Sequence, residues 1–241
     1  VEFDYVVDPD ILRNISCGEI VNESVMLDGD IECYPNFVGG WAVQINAGLA
    51  ANGSGHYNRD IRFDCNGHAI KIHTYAYENG HCINFSYSGA IFATSDYSNP
   101  NDPLNYTIKN CVIIGEGYGG HWGIYAGGYY GYGSSFVNNT FYLNTSLYGE
   151  CSGFTGIGIK LSSARGLNIE NNTMYLRGWD DALYLEPSSN NNNITSMLIR
   201  GGVTAILVGY TTGVVENNTF RDLSILDWED VPLLGPVDAI D

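Results

Sequence analysis

Positive charge is what this chain of 241 residues most lacks: Lys and Arg total 10 against 27 Asp and Glu, a formal charge of −17. Nucleic acid and anionic membrane surfaces both require basic patches, so neither is expected as a partner. No apolar run approaches the ~20 residues of a membrane span. Strong helix formers are scarce too, with 3 Met beside those few Lys and Arg. There is no Cys-x-x-Cys pair, no His-Glu-x-x-His, no glycine-rich phosphate loop and no Ser-His-Asp motif. The five His (His56, His68, His73, His81, His121) have no metal-ligand spacing, so no metal and no cofactor is implied.

What is abundant suits strands and turns: 30 Gly, 18 Tyr, and many Asn and Thr, with 44% apolar residues to form a core. One short phrase recurs. Asn138-Asn139-Thr140-Phe141 returns as Asn171-Asn172-Thr173-Met174 and as Asn217-Asn218-Thr219-Phe220. Met174, Met197 and Phe220 fall 23 apart, as do Arg177-Gly178 and Arg200-Gly201, and Ala182-Leu183-Tyr184-Leu185 and Ala205-Ile206-Leu207-Val208. Self-similarity at this period marks a solenoid. The apolar runs are short and bounded by Gly, Asn, Ser or Thr, so they read as strands. The expected fold is all-β: a single-stranded right-handed parallel β-helix (β-solenoid) of about ten coils of ~23 residues. Met174, Met197 and Phe220 are expected to stack in its core. One domain covers 1–241, with an N-terminal strand or cap at 1–16, coils at 17–225 and a C-terminal cap or tail at 226–241.

Six cysteines (Cys17, Cys33, Cys65, Cys82, Cys111, Cys151) in an acidic Tyr/Asn/Gly-rich chain suggest up to three disulfides and an oxidising compartment, with Cys17–Cys33 the favoured pair. The alternative is that they pack as small hydrophobes. Asn-x-Ser/Thr acceptors are dense: Asn14, Asn22, Asn52, Asn84, Asn105, Asn138, Asn144, Asn171, Asn193 and Asn217. In a secreted chain each is a candidate for an N-linked glycan, and the shared phrase predicts that Asn138, Asn171 and Asn217 lie on one outer face. The second Asn of each phrase (Asn139, Asn172, Asn218) is a candidate for an inward ladder that satisfies turn amides. The chain opens on Val1 rather than Met, as it would after removal of a signal peptide.

Particular stretches carry a resemblance. These are Asn14-Ile15-Ser16-Cys17-Gly18-Glu19-Ile20, Leu27-Asp28-Gly29-Asp30-Ile31-Glu32-Cys33, Asp64-Cys65-Asn66-Gly67-His68-Ala69-Ile70 and Ile108-Lys109-Asn110-Cys111-Val112-Ile113-Ile114-Gly115. With the Asn-Asn-Thr phrases they resemble secreted right-handed parallel β-helix proteins of the pectate-lyase-like superfamily, in the branch with carbohydrate-binding and sugar-hydrolase repeats. The resemblance spans roughly Cys17 to Leu223. It implies the fold more than the activity, because many activities share that fold.

Trp179-Asp180-Asp181-Ala182-Leu183 resembles the Asp-Asp motif of polygalacturonase-like hydrolases, which work with paired carboxylates. The partners of that motif are missing. Gly201-Gly202-Val203 stands where the family has Gly-His-Gly, and Asn172-Thr173-Met174 lacks the upstream Asp. A lyase needs a basic group, and only Arg177, Lys160 and Arg200 are near by register. Otherwise Asp180 and Asp181 cap turn amides. If the chain is an enzyme, it is a glycoside hydrolase or polysaccharide lyase. Asp96, Asn99, Asn101 and Asp102 offer oxygen ligands for calcium, although solvated turn residues are commoner. Tyr118, Trp122, Tyr125, Tyr129, Tyr130 and Tyr132, with His121, lie in a Gly/Tyr-rich stretch that suits sugar stacking or subunit contact. The expected function is an extracellular or cell-surface glycosylated structural solenoid. Its partner would be itself, as a filament or surface-layer subunit, through strand donation by Val1 to Val7 or end stacking. The alternative is a polysaccharide-binding or polysaccharide-degrading protein.

Overall fold

The structure, a computed structural model, describes residues 11–34, 40–46, 61–74, 77–78, 81–82, 88–94, 105–118, 121–127, 133–146, 156–178, 180–209 and 214–226. The N-terminal stretch 1–10, the candidate calcium loop 96–102 and the tail 227–241 lie outside them. Among the described residues three large sheets, all parallel, make up the fold. Sheet A has eight strands, among them Ile11–Arg13, Tyr106–Lys109, Ser135–Val137, Asn168–Glu170, Asn193–Thr195 and Thr219–Arg221. Sheet B has seven, from Glu19–Val21 through Trp41–Asn46, Ser88–Thr94, His121–Gly127, Ile157–Ser162 and Asp181–Leu185 to Thr204–Val208. Sheet C has seven, from Ile31–Cys33 to Ser224–Leu226. From Tyr106 on, the chain passes from A to C to B and returns to A one layer further along. This is a parallel β-helix, with the right-handed winding usual for crossovers between parallel strands. One small departure is an antiparallel pair, Tyr77–Glu78 with His81–Cys82.

Each sheet is built on columns of like residues. In sheet A the inward column runs Val25, Phe63, Ile108, Phe136, Ile169, Ile194, all buried, and ends at the more exposed Phe220. In sheet C it runs Ile31, Ile70, Ile113, Phe141, Met174, Ile199. The vertical stack of Met174, Met197 and Phe220 is therefore corrected. Met174 stacks on Phe141 and Ile199 in sheet C, Met197 sits in the corner before Leu198, and Phe220 belongs to sheet A. The spacing of 23 holds in sheet B, where Asp181 pairs with Thr204 and Leu183 with Ile206. In sheet C, Arg200 pairs with Tyr175 rather than with Arg177. From the paired Leu176 and Gly201 the chain takes five residues to reach Asp181 but three to reach its partner Thr204, and that difference shifts the phase. Other coils are longer still: Thr107 meets Ser135 at a separation of 28, and Asn139 meets Asn172 at 33. Hence the described residues give eight layers at most, against the ten expected from a uniform short period.

The corner from sheet A to sheet C explains the repeated phrase. Its first residue is Asn110, Asn138, Asn171, Ser196 or Asp222 in successive coils, with φ of 53 to 56°. Asn and Asp tolerate this left-handed conformation better than other residues with a Cβ. The second residue turns inward. Asn139 and Asn172 are fully buried. Asn172 Oδ1 accepts from Asn139 N–H and from Asn139 Nδ2, each at 3.0 Å. Asn139 Oδ1 in turn accepts from Cys111 N–H at 3.0 Å. Each amide also donates to a strand carbonyl: Asn139 to Ile108, Asn172 to Phe136. The ladder leaves no buried side-chain amide of these two residues without a partner, as a solenoid core requires.

Asn217-Asn218-Thr219 belongs to a different corner. Thr219 opens a strand of sheet A, whereas Thr140 and Thr173 open strands of sheet C. Here Asn192 and Asn218 form a second ladder, Asn192 Nδ2 donating to Asn218 Oδ1 at 2.9 Å. So Asn138 and Asn171 share one edge of the solenoid, but Asn217 lies on another, against the single outer face expected for the three.

Among the described residues two disulfides hold the early coils, Cys17–Cys33 and Cys65–Cys111. The first is the pair favoured from sequence. The second ties neighbouring A–C corners, with Asp64 beside it bridging to Lys109 Nζ at 2.8 Å and accepting from Asn110 Nδ2 at 2.9 Å. The side chains of Cys82 and Cys151 lie outside the described residues.

Candidate functional site

Sheet B differs from the other two on its outer face. Its strands carry a triplet in which two buried apolar residues flank an outward one: Val43-Gln44-Ile45, Ile91-Phe92-Ala93, Ile124-Tyr125-Ala126, Ile159-Lys160-Leu161, Leu183-Tyr184-Leu185. Parallel register aligns the middle members, so Gln44, Phe92, Tyr125, Lys160 and Tyr184 form one outward column. A second column beside it holds Trp41, Gly89, Trp122, Ile157, Asp181 and Thr204.

Four aromatic rings from three strands meet there. Trp41 lies 5.2 Å from Phe92, 5.6 Å from Trp122 and 5.7 Å from Tyr125, centroid to centroid. Trp122 and Tyr125 are 5.5 Å apart and nearly coplanar in orientation, at 14°. All four are half-exposed. Gly89 makes the cluster possible, because a Cβ there would collide with the Trp41 ring, which lies across the neighbouring strand to reach Trp122. Lys160 sits above this floor, its Nζ 4.5 Å from the Trp122 centroid, 5.5 Å from Tyr125 and 5.3 Å from Tyr184. Such placement is favourable over a ring face. The same Nζ is paired with Glu186 Oε1 at 2.8 Å.

The two aspartates of the candidate catalytic pair part company. Asp180 is fully buried, and its Oδ1 accepts from Gly156 N–H at 3.0 Å while its carbonyl accepts from Val203 N–H at 2.9 Å. It fixes the corner between sheets C and B. Asp181 is buried and pairs with Ile157, two strands on from Trp122 in the same column of sheet B. Burial raises its carboxyl above the ordinary value, against a Thr204 hydrogen bond that lowers it. Of the three basic candidates, only Lys160 is on this sheet. Arg177 and Arg200 are in sheet C, where Arg200 is in register with Tyr175, itself stacked on Tyr142 at 4.9 Å.

Other sequence candidates are scattered. Tyr129, Tyr130 and Tyr132 and the side chain of Tyr118 are outside the described residues, as are Asn52 and Asn84. Asn14, Asn22, Asn138, Asn171, Asn193 and Asn217 are exposed, whereas Asn105 and Asn144 are half-buried. His121 is buried, and His68 and His73 face Asp30 and Glu32 at 3.3 and 2.8 Å. Among the described residues no His/Cys/Asp/Glu group is arranged to hold a metal. No described helix is long and apolar enough to cross a membrane. Trp41, Phe92, Tyr184 and Glu186 were missed from sequence because they lie far from the Gly/Tyr stretch along the chain. The apolar–x–apolar triplet is the signal that finds the outward column.

No protein-family model, no curated protein and no solved structure matches the chain.

Proposed function

We propose that this parallel β-helix binds a saccharide on the outer face of sheet B. The observation that carries the reading is the cluster of Trp41, Phe92, Trp122 and Tyr125, four half-exposed rings gathered from three strands with no core to fill. Rigid amphipathic rings, one side packed and one side wet, suit the apolar faces of sugar rings. Lys160, Glu186 and Gln44 supply hydrogen-bonding groups around them. The two disulfides support an oxidising, extracellular setting, as does the density of sequons. The resemblance to carbohydrate-binding members of the pectate-lyase-like superfamily points the same way by analogy. The test is affinity electrophoresis through gels that contain soluble polysaccharides. Retardation of the wild type that is lost in Trp122→Ala supports the reading; equal mobility of both proteins in every gel contradicts it.

A second reading, end-to-end assembly as a structural subunit, is favoured by one observation. The large exposed apolar residues among those described are all in the first or last coils: Ile11, Leu12, Ile20 and Tyr34 at one end, Val203, Val208, Val214, Phe220, Ile225 and Leu226 at the other. Open strand edges with apolar ends invite pairing.

A further inference from the structure

We infer that the face of sheet B takes an uncharged saccharide rather than a polyanionic one; this rests on the saccharide reading above. Among the described residues of the two outward columns, Lys160 is the one basic group. An acidic glycan such as a polyuronate needs cations free to meet its carboxylates. Lys160 is not free for that role. Its Nζ is held by Glu186 at 2.8 Å, its side chain is 12% exposed, and the rings of Trp122, Tyr125 and Tyr184 surround it within 5.5 Å. The ammonium and the carboxylate cancel each other where the ligand would lie.

Among the described residues the rest of the face adds no positive charge. Gln44, Thr204 and the tyrosine hydroxyls are neutral hydrogen-bonding groups. Asp181 is acidic, and its burial makes a charge there costlier than in solvent. Around the site the chain carries −17, which repels polyanions at a distance and slows their encounter. What remains is a floor of rings with a neutralised ion pair at its edge. Sugar hydroxyls can donate to Glu186 and accept from Lys160 while the pair stays intact, whereas a ligand carboxylate must displace Glu186 to reach Lys160.

The experiment is calorimetric titration of the whole protein with neutral hexasaccharides of glucose, xylose, mannose and galactose, and with hexagalacturonate, at low and high salt. Wild type is expected to bind at least one neutral probe with little salt dependence, and hexagalacturonate more weakly. Glu186→Gln releases Lys160 and is expected to raise affinity for hexagalacturonate about fivefold at low salt, the worth of one half-exposed ion pair. If wild type prefers hexagalacturonate, with affinity that falls as salt rises, the inference is overturned and the saccharide reading stands. If Glu186→Gln leaves the hexagalacturonate affinity unchanged, the role given to the Lys160–Glu186 pair is wrong. If none of the sugars binds, both readings fall together.

Discussion

The corner between sheets A and C and the outer face of sheet B are built from the same coils, yet they obey opposite rules. At the corner a side chain recurs because its neighbour one coil away needs it: Asn172 exists to receive Asn139, and Asn139 to receive Cys111. On the face the residue type changes from each described coil to the next. Gln44, Phe92, Tyr125, Lys160 and Tyr184 succeed one another in one column, although the buried columns on either side stay Val, Ile, Leu or Ala throughout. In a solenoid, repetition satisfies the backbone and fills the core; a solvent face is free of both demands and can vary, and the saccharide binding proposed above is a use that its rings and paired Lys suit. Loops vary similarly, but they do not hold rings at fixed centroid distances.

The sharpest way to break this contrast is at the ladder. Asn172→Ala strands Asn139 N–H, Asn139 Nδ2 and the Phe136 carbonyl inside the core. At roughly 1–3 kcal/mol for each buried group left unpaired, partly relieved by relaxation, the expected loss is about 4–5 kcal/mol in urea unfolding. Replacing Cys65 and Cys111 by Ser releases a loop of 46 residues, with an expected loss of about 4 kcal/mol on the chain-entropy account. Asp64→Asn should lose about 2 kcal/mol, since the Lys109 pair and two hydrogen bonds depend on that carboxylate.

The acids also separate the two regions by pH. Burial alone would raise Asp64, but Lys109, Asn110 and the Asn66 N–H outweigh it, so its folded value lies below 3.8. Its contribution to stability is therefore present above pH 3.8 and is lost as pH falls through the lower folded value. Asp181 runs the other way. Its folded value is raised, chiefly by burial, so the folded state holds the proton longer, and stability falls as pH rises from 3.8 through that raised value. Asp181→Asn should remove this slope and leave the protein slightly more stable at neutral pH, read from unfolding midpoints across the pH range. Trp122→Ala has the smallest expected effect on folding, under about 1 kcal/mol for a half-exposed outward ring, with about a tenfold loss of saccharide affinity.

Much of this was legible in the sequence, for reasons that particular residues make plain. The Asn-Asn-Thr phrase is visible because αL tolerance and ladder bonding leave few substitutes for Asn. The inward columns are visible because strands alternate. The register was not legible, since the stretch from Leu176 to Asp181 is two residues longer than its counterpart from Gly201 to Thr204, so sheet C repeats at 25 there where sheet B repeats at 23. Nor was the site: Trp41 and Tyr184 become neighbours of Trp122 and Lys160 only when coils of unequal length are stacked, and the sequence does not show where each long connection ends.

The most direct measurement is to follow indole and side-chain amide resonances while a bound oligosaccharide is titrated in. The account predicts that the Trp41 and Trp122 indole N–H signals shift together, with the Asn139 and Asn172 amides unmoved. Shifts confined to sheet A, sheet C or the two ends, with Trp41 and Trp122 unchanged, would contradict it.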